Sequence, residues 1–293
     1  MIIFVVTPHH AYAVENLRDR SLGVQVEVMR PSAVLEAATL PRATYVFTDM
    51  DRLPLRLLRP LAERWRRLRD DGMRVLNDPA RVLSRCGLLR RLYVTGYNGF
   101  NAYRVEEERL PERWPVFLRC DGDHRGPVSR LLHGPAELAA EIAAAVERGL
   151  PMASLLIVEY AAEEIRPGLF RKYGCFRVGA ARLAYTCVDS PDWVTKFGSP
   201  DVTPPPELSE EEYRTIRDNP WGPALEPAFD AAGIEYGRAD FGLVGGRPQL
   251  YEINTNPHVL FGRDYPQPHR LRSFALLREN FAAALRALDT PAG

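Results

Sequence analysis

Apolar residues open the chain in short runs at residues 2–6, 24–29 and 44–48, each one strand long and rich in valine, isoleucine and aromatic side chains. Between residues 54 and 70 leucines recur at helical spacing with arginines between them, which predicts an amphipathic helix. Asp71-Gly72 closes that helix and residues 74–76 make a further strand. The alternation predicts a small, mostly parallel α/β domain. Asn77-Asp78-Pro79 then reads as the cap and first-turn proline of a helix reaching about residue 95, with a domain boundary at 72–77.

Residues 115–120 and 128–133 read as two strands around the polar, glycine-containing loop 121–127. A helix over 135–148 ends at Gly149 before an apolar strand at 154–160. Strands follow at 171–178 and 181–188, and the prolines of 200–206 exclude regular helix or inner strand there. Residues 234–244 and 248–254 form a hairpin, and 269–289 a final helix. The organisation expected is three segments, 1–75, 76–153 and 154–293.

The hairpin carries the candidate chemistry. A three-residue loop at Gly245-Gly246-Arg247 pairs Val244 with Pro248 and sets Asp240 opposite Glu252, with Asn254 on the same face and Ala239 and Ile253 on the other. Opposed carboxylates lie about 5 Å apart, and at an effective dielectric of about 20 they repel by roughly 3 kcal/mol. A positive group is therefore expected on that face. Carboxylate and amide oxygens without histidine or cysteine suit a hard cation such as Mg²⁺.

Composition narrows the classes. Lysine plus arginine equals aspartate plus glutamate at 38 each, so no global field gathers nucleic acid or an anionic membrane. Nearly all the basic residues are arginine; lysine stands only at Lys172 and Lys196. Cys86, Cys120, Cys175 and Cys187 lack metal-ligand spacing and read as reduced and structural. The apolar start is too short for a signal peptide or membrane span, and a cytoplasmic protein is the expectation. Trp114, Trp193 and Trp221 read as packing anchors more readily than as ligands.

Asp240, twelve residues ahead of Glu252-Ile253-Asn254-Thr255-Asn256-Pro257, resembles the hairpin of the ATP-grasp superfamily. The resemblance runs from about residue 77 to 257, the first segment being similar to the family's preceding α/β domain. It implies an α/β (α+β) ATP-grasp fold in which two sheet-containing lobes clamp ATP. It also implies two Mg²⁺ ions, or Mn²⁺ in their place, held by Asp240, Glu252 and Asn254. Arg119 falls where the family usually has a phosphate-binding lysine, a role that guanidinium also fills. The loop with His124 is similar to the one that covers the triphosphate. Residues 156–160 resemble the strand whose backbone reads adenine, with Glu159 and Tyr160 at the hinge and Glu163 or Glu164 near the ribose. Arg238, Arg177 and Lys196 are the candidates for contacting phosphate or substrate.

The activity implied is ligation: a carboxylate is activated as an acylphosphate and attacked by an amine or similar nucleophile. The partners would be a small-molecule or peptide carboxylate and that nucleophile, with no nucleic acid and no membrane, and a homodimer is left open. A phosphotransferase on the same site and a nucleotide-binding module without turnover are the alternatives.

Overall fold

The first four strands, β1 (Ile2–Val5), β2 (Val26–Met29), β3 (Thr44–Phe47) and β4 (Val75–Leu76), form a parallel sheet in the order β2-β1-β3-β4. This computed structural model describes residues 1–122, 126–195, 205–262 and 268–289. Every residue of β1 and β3 is buried, as expected for strands covered on both faces, which read as continuous apolar runs. Helices α1 (Pro31–Glu36) and α2 (Leu55–Asp70) cross between the strands, and α2 buries Leu61, Ala62, Trp65 and Leu68 along one stripe.

Next come α3 (Arg85–Val94), β5 (Ala102–Arg104), β6 (Val116–Cys120), α4 (Pro135–Glu147) and β7 (Leu155–Glu159). The strands make an antiparallel sheet, β5-β7-β6, whose core of Val116, Leu118, Leu155 and Ile157 packs with Leu138 of α4. The sequence division at residue 153 places β7 with the last segment, but β7 hydrogen-bonds to β5 and β6. Two sequence readings change here. The strand expected at 128–133 is reduced to isolated bridges, Leu132 to Val116 and Pro127 to Arg119. The helix expected from residue 79 is a 3-10 turn, Pro79–Arg81, followed by a fresh start at Ser84, whose side chain accepts from Gly87 N at 3.1 Å.

The remainder holds β8 (Glu164–Arg166), β9 (Leu169–Val178), β10 (Ala181–Ser190), α5 (Pro206–Asp218), α6 (Gly222–Ala232), β11 (Tyr236–Val244), β12 (Arg247–Asn254) and α7 (Pro268–Asp289). Its antiparallel sheet runs β10-β9-β11-β12, with β8 on β9. One face shares a core with the first sheet through Phe4 and Val46 against Phe176, Tyr236 and Phe281. The other joins Ile3 and Tyr45 with Phe229 and Ala239. Residues 193–195 follow β10 outside any strand.

The hairpin reaches the expected pairing by an unexpected route. Val244 pairs with Arg247, not Pro248, so the loop is the two-residue turn Gly245-Gly246, with φ of 56° and 74°. Two positive φ values match the twist of a hairpin, and glycine supplies them without strain. A bulge between Phe241↔Leu250 and Asp240↔Glu252 then takes up Tyr251 and restores the register, so Asp240 faces Glu252 and Arg238 faces Asn254. Tyr251 lies across Gly242, where a Cβ would come within 2.1 Å of its hydroxyl oxygen, and that hydroxyl donates to Ala161 O at 2.9 Å.

Asn77 is not the helix cap that its sequence context suggests; Asp78 caps the turn by accepting from Ala80 N at 2.9 Å. Asn77 is instead fully buried at a φ of 62°. Its Nδ2 donates to Phe47 O at 2.9 Å and Tyr236 O at 2.8 Å, while its Oδ1 accepts from Glu235 N at 2.8 Å and Tyr236 N at 3.0 Å. One amide thus joins the end of β3 to the start of β11. Asn77→Ala removes the partner of four backbone groups, three of them in buried bonds, and we expect a loss of about 2–4 kcal/mol. It would be read as a lower urea midpoint at an unchanged m-value. Asn77→Asp should fail too, because a carboxylate cannot donate to two carbonyls.

Candidate active site

Asp240 and Glu252 lie side by side on one face of the third sheet, and four cations converge on them. Asp240, 3% exposed, accepts from Arg238 Nε at 2.6 Å and Nη2 at 3.2 Å and lies 3.3 Å from Lys172 Nζ. Glu252 pairs with Arg85 at the start of α3, and Arg119 Nη2 of β6 is 3.8 Å away. Asn254 Nδ2 donates to Glu252 Oε1 at 3.4 Å. Burial alone would raise the Glu252 carboxyl, but Arg85, Arg119 and Lys172 outweigh it and hold it at about 2. The positive charge that the opposed carboxylates require is thus supplied by side chains.

A cavity of about 140 Å³ opens over this pair. Phe117, Tyr160, Trp193 and Tyr251 line its apolar end, and Arg119, Lys172, Asp240 and Glu252 its polar end. The rings of Phe117 and Trp193 are 4.9 Å apart, and Trp193 meets Tyr160 edge-on at 5.8 Å. A flat apolar slot beside a cluster of cations and carboxylates suits a ligand with an aromatic ring at one end and several negative charges at the other. Two carboxylates and one amide are too few to enclose a metal, and no group of three His, Cys, Asp or Glu side chains that could hold one occurs among the described residues. That donor set fits Mg²⁺, which keeps waters and takes phosphate oxygens to complete its shell.

Of the residues singled out from sequence, Asp240, Glu252, Asn254, Arg119, Arg238 and Tyr160 meet here. Arg177 does not. Alternation along β9 turns Lys172 toward the carboxylates and Arg177 toward α6, where it pairs with Asp230 at 2.6 Å and Glu226 at 3.5 Å. Glu159 borders the cavity, yet its carboxylate is spent inside the lobe, accepting from Asn101 N, Tyr103 Oη, Glu112 N and Arg113 N at 2.9 to 3.0 Å. Glu164 is exposed on β8 and accepts from Gly168 N at 2.9 Å. His124 and Lys196 lie outside the described residues. The sequence reading missed Arg85, Lys172 and Tyr251 as site residues, and Trp193 lines the cavity. All four cysteines are buried and unlinked, and burial pushes the Cys175 thiol up to about 12.

The fold is similar to that of D-alanine–D-alanine ligase from Bacillus anthracis complexed with ATP, with a TM-score of 0.53, 13% identity and 98% of each chain covered. The ATP-grasp ligase PsnB complexed with a minimal precursor gives 0.52 at 15% identity, covering 98% of this chain and 99% of that one. VanG D-Ala:D-Ser ligase from Enterococcus faecalis gives 0.51 at 11% identity, covering 99% and 98%. No family model and no curated protein matches the chain. The chain has the ATP-grasp fold.

Glu252→Gln removes the anion that Arg85, itself 7% exposed, faces across the cleft. The metal-free protein should lose about 1–3 kcal/mol, since a buried cation loses the carboxylate it faces across the cleft. Because the Glu252 carboxyl is lowered by folding, its contribution is present above the ordinary carboxyl range and lost as the pH falls through about 2. Melting curves in EDTA between about pH 5 and 2 should therefore fall less steeply for Glu252→Gln than for the unaltered protein. Parallel curves would show that the pairing adds nothing.

Proposed function

We propose that this chain is an ATP- and Mg²⁺-dependent ligase that activates a carboxylate as an acylphosphate for attack by an amine or similar nucleophile. The observation that carries the reading is the convergence of Arg85, Arg119, Lys172 and Arg238 on the Asp240–Glu252 pair at the polar end of an aromatic-lined cavity. The adenine ring would lie among Phe117, Tyr160 and Trp193, with the triphosphate reaching toward Arg119 and Lys172. Asp240, Glu252 and Asn254 would hold the metal, which when bound supplies Lewis-acid neutralisation of phosphoryl charge. The protein's own part is positioning and electrostatics, since phosphoryl transfer asks for aligned groups and fixed cations rather than covalent help.

In the first half-reaction a carboxylate oxygen attacks the γ-phosphorus and ADP leaves. In the second, the nucleophile adds to the acyl carbon and phosphate leaves, and Arg238 would face the negative charge on the acyl group. The fold neighbours include a D-alanine–D-alanine ligase, a D-Ala:D-Ser ligase and an ATP-grasp ligase complexed with a minimal precursor. Amino acids and peptides are therefore the first substrates to test.

Purified protein with ATP, Mg²⁺ and pools of amino acids and dipeptides should release phosphate and form a product lighter than its two parts by one water. A mass gain of one phosphoryl group on an acceptor would point to a kinase instead. Lys172→Met should lower kcat/KM for ATP by about 10²-fold, the scale of losing one fixed positive group at a transferring phosphoryl. At an ATP concentration 100 times Kd the unaltered protein should gain about 2.7 kcal/mol of stability. An unmoved Tm at saturating Mg-ATP would remove the nucleotide reading.

A further inference from the structure

The first sheet reverses its strand order between β1 and β3, and in open parallel sheets the crevice beyond the carboxyl ends of the strands at such a point is where ligands bind. Here that crevice holds Thr7, His10, Asp49 and Arg52. Asp49 is 1% exposed and adopts φ 56°, a conformation that side chains other than glycine seldom take. Its carboxylate accepts from Thr7 N at 3.0 Å and from the Thr7 hydroxyl, and its other oxygen lies 3.3 Å from His10 Nδ1. On the far side of the ring, Arg52 Nη1 is 2.9 Å from His10 Nε2. An acceptor at Nδ1 and a cationic N–H donor at Nε2 select one form of the imidazole, with hydrogen on Nδ1 and a lone pair on Nε2.

The loop leaving Asn254 closes over this crevice. Asn256 Nδ2 donates to His10 O at 3.1 Å, Thr255 Oγ1 is 3.3 Å from Asp51, and His258 meets Tyr12 edge-on at 5.6 Å. Asp51 and Thr255 line a second cavity together with Arg85, Glu252 and Asn254, so the loops that carry His10 and Asn256 edge the carboxylate site on the side away from the aromatic cavity.

We propose that His10 is the base of the second half-reaction and that Asp49 is its positioning residue, an assignment that rests on the ligase reading. The Arg52 guanidinium, which is exposed and also lies 3.9 Å from Asp49 Oδ1, caps Nε2 and would give way there to the nucleophile's N–H. The amine nitrogen forms the new C–N bond, the acyl C–O bond to phosphate breaks with its electron pair leaving on phosphate, and the N–H proton passes to His10 Nε2. The imidazolium so formed faces the Asp49 carboxylate.

The test compares two nucleophiles on one acylphosphate. Protein, ATP and Mg²⁺ are supplied with the pooled amino acids alone, or with hydroxylamine added, which is already a free base near neutral pH and loses its proton to solvent rather than to a side chain. His10→Gln should lower the ratio of amide to hydroxamate by about 10²-fold, the scale of one general base. Asp49→Asn should shift the ratio in the same direction by less. An unchanged ratio, or amide and hydroxamate falling together, overturns the assignment. Unaltered protein that forms neither product removes the ligase reading itself, a result distinct from either.

Discussion

Two acidic side chains facing each other in a partly closed cleft set the terms for everything around them. Left alone, Asp240 and Glu252 would repel, and burial would push Glu252 toward the neutral form, useless for holding a cation. The fold answers with charge from two directions. Asp240 is neutralised within its own sheet, by Arg238 on the same strand and Lys172 on the neighbouring one. Glu252 is neutralised across the cleft, by Arg85 and Arg119 from α3 and β6. The two carboxylates are equivalent in the hairpin and differ in what a ligand must displace.

Holding that pair in register falls to the backbone. A two-residue turn alone would offset the strands by one, and Asp240 would face Tyr251 instead of Glu252. The bulge corrects the offset and, because its residues no longer alternate strictly, sends Tyr251 as well as Glu252 to the cavity. Gly242 leaves the room that the Tyr251 ring needs, and the Tyr251 hydroxyl ties β12 to the residues after β7. Aromatic wall and acidic pair thus share one local irregularity.

How much of this was legible in the sequence follows from what period and spacing encode. The parallel α/β character of the first domain, the hairpin and the Asp240–Glu252–Asn254 face were readable, since alternation and residue type fix them. The turn and bulge were not, because their errors cancel: a three-residue loop and a two-residue turn plus bulge give the same pairing at Asp240. Arg177 was misplaced because basic character says nothing of which face of β9 a residue takes; once β9 is set beside β11, parity points Lys172 inward and Arg177 out. Lys172 did carry a signal, being one of only two lysines in an arginine-rich chain, but that rarity drew attention to Lys196. Arg85 was out of reach, since only the tertiary fold brings a helix start beside a hairpin. Glu159 and Asn77 show the converse, polar residues in suggestive positions whose hydrogen bonds turn out to be internal.

The choice of cation on each side of the cleft has a consequence of its own. An arginine holds a planar array of donors and keeps its charge under all ordinary conditions, whereas a lysine is a compact point charge on a flexible stem. In this chain the arginines reach Glu252 from the opposite lobe, so the ion pairs that neutralise it also link α3 and β6 to the hairpin. Anything anionic that enters the cleft competes with Glu252 for those guanidiniums, and the lobes then meet through the ligand rather than through each other. Lys172 and Arg238 span no such gap: they belong to the sheet that carries Asp240 and move with it. Loading the cleft therefore breaks contacts between the lobes at Glu252, whereas Lys172 and Arg238 remain on the sheet that carries Asp240 whatever they turn to contact. The hairpin can stay fixed while the facing lobe adjusts.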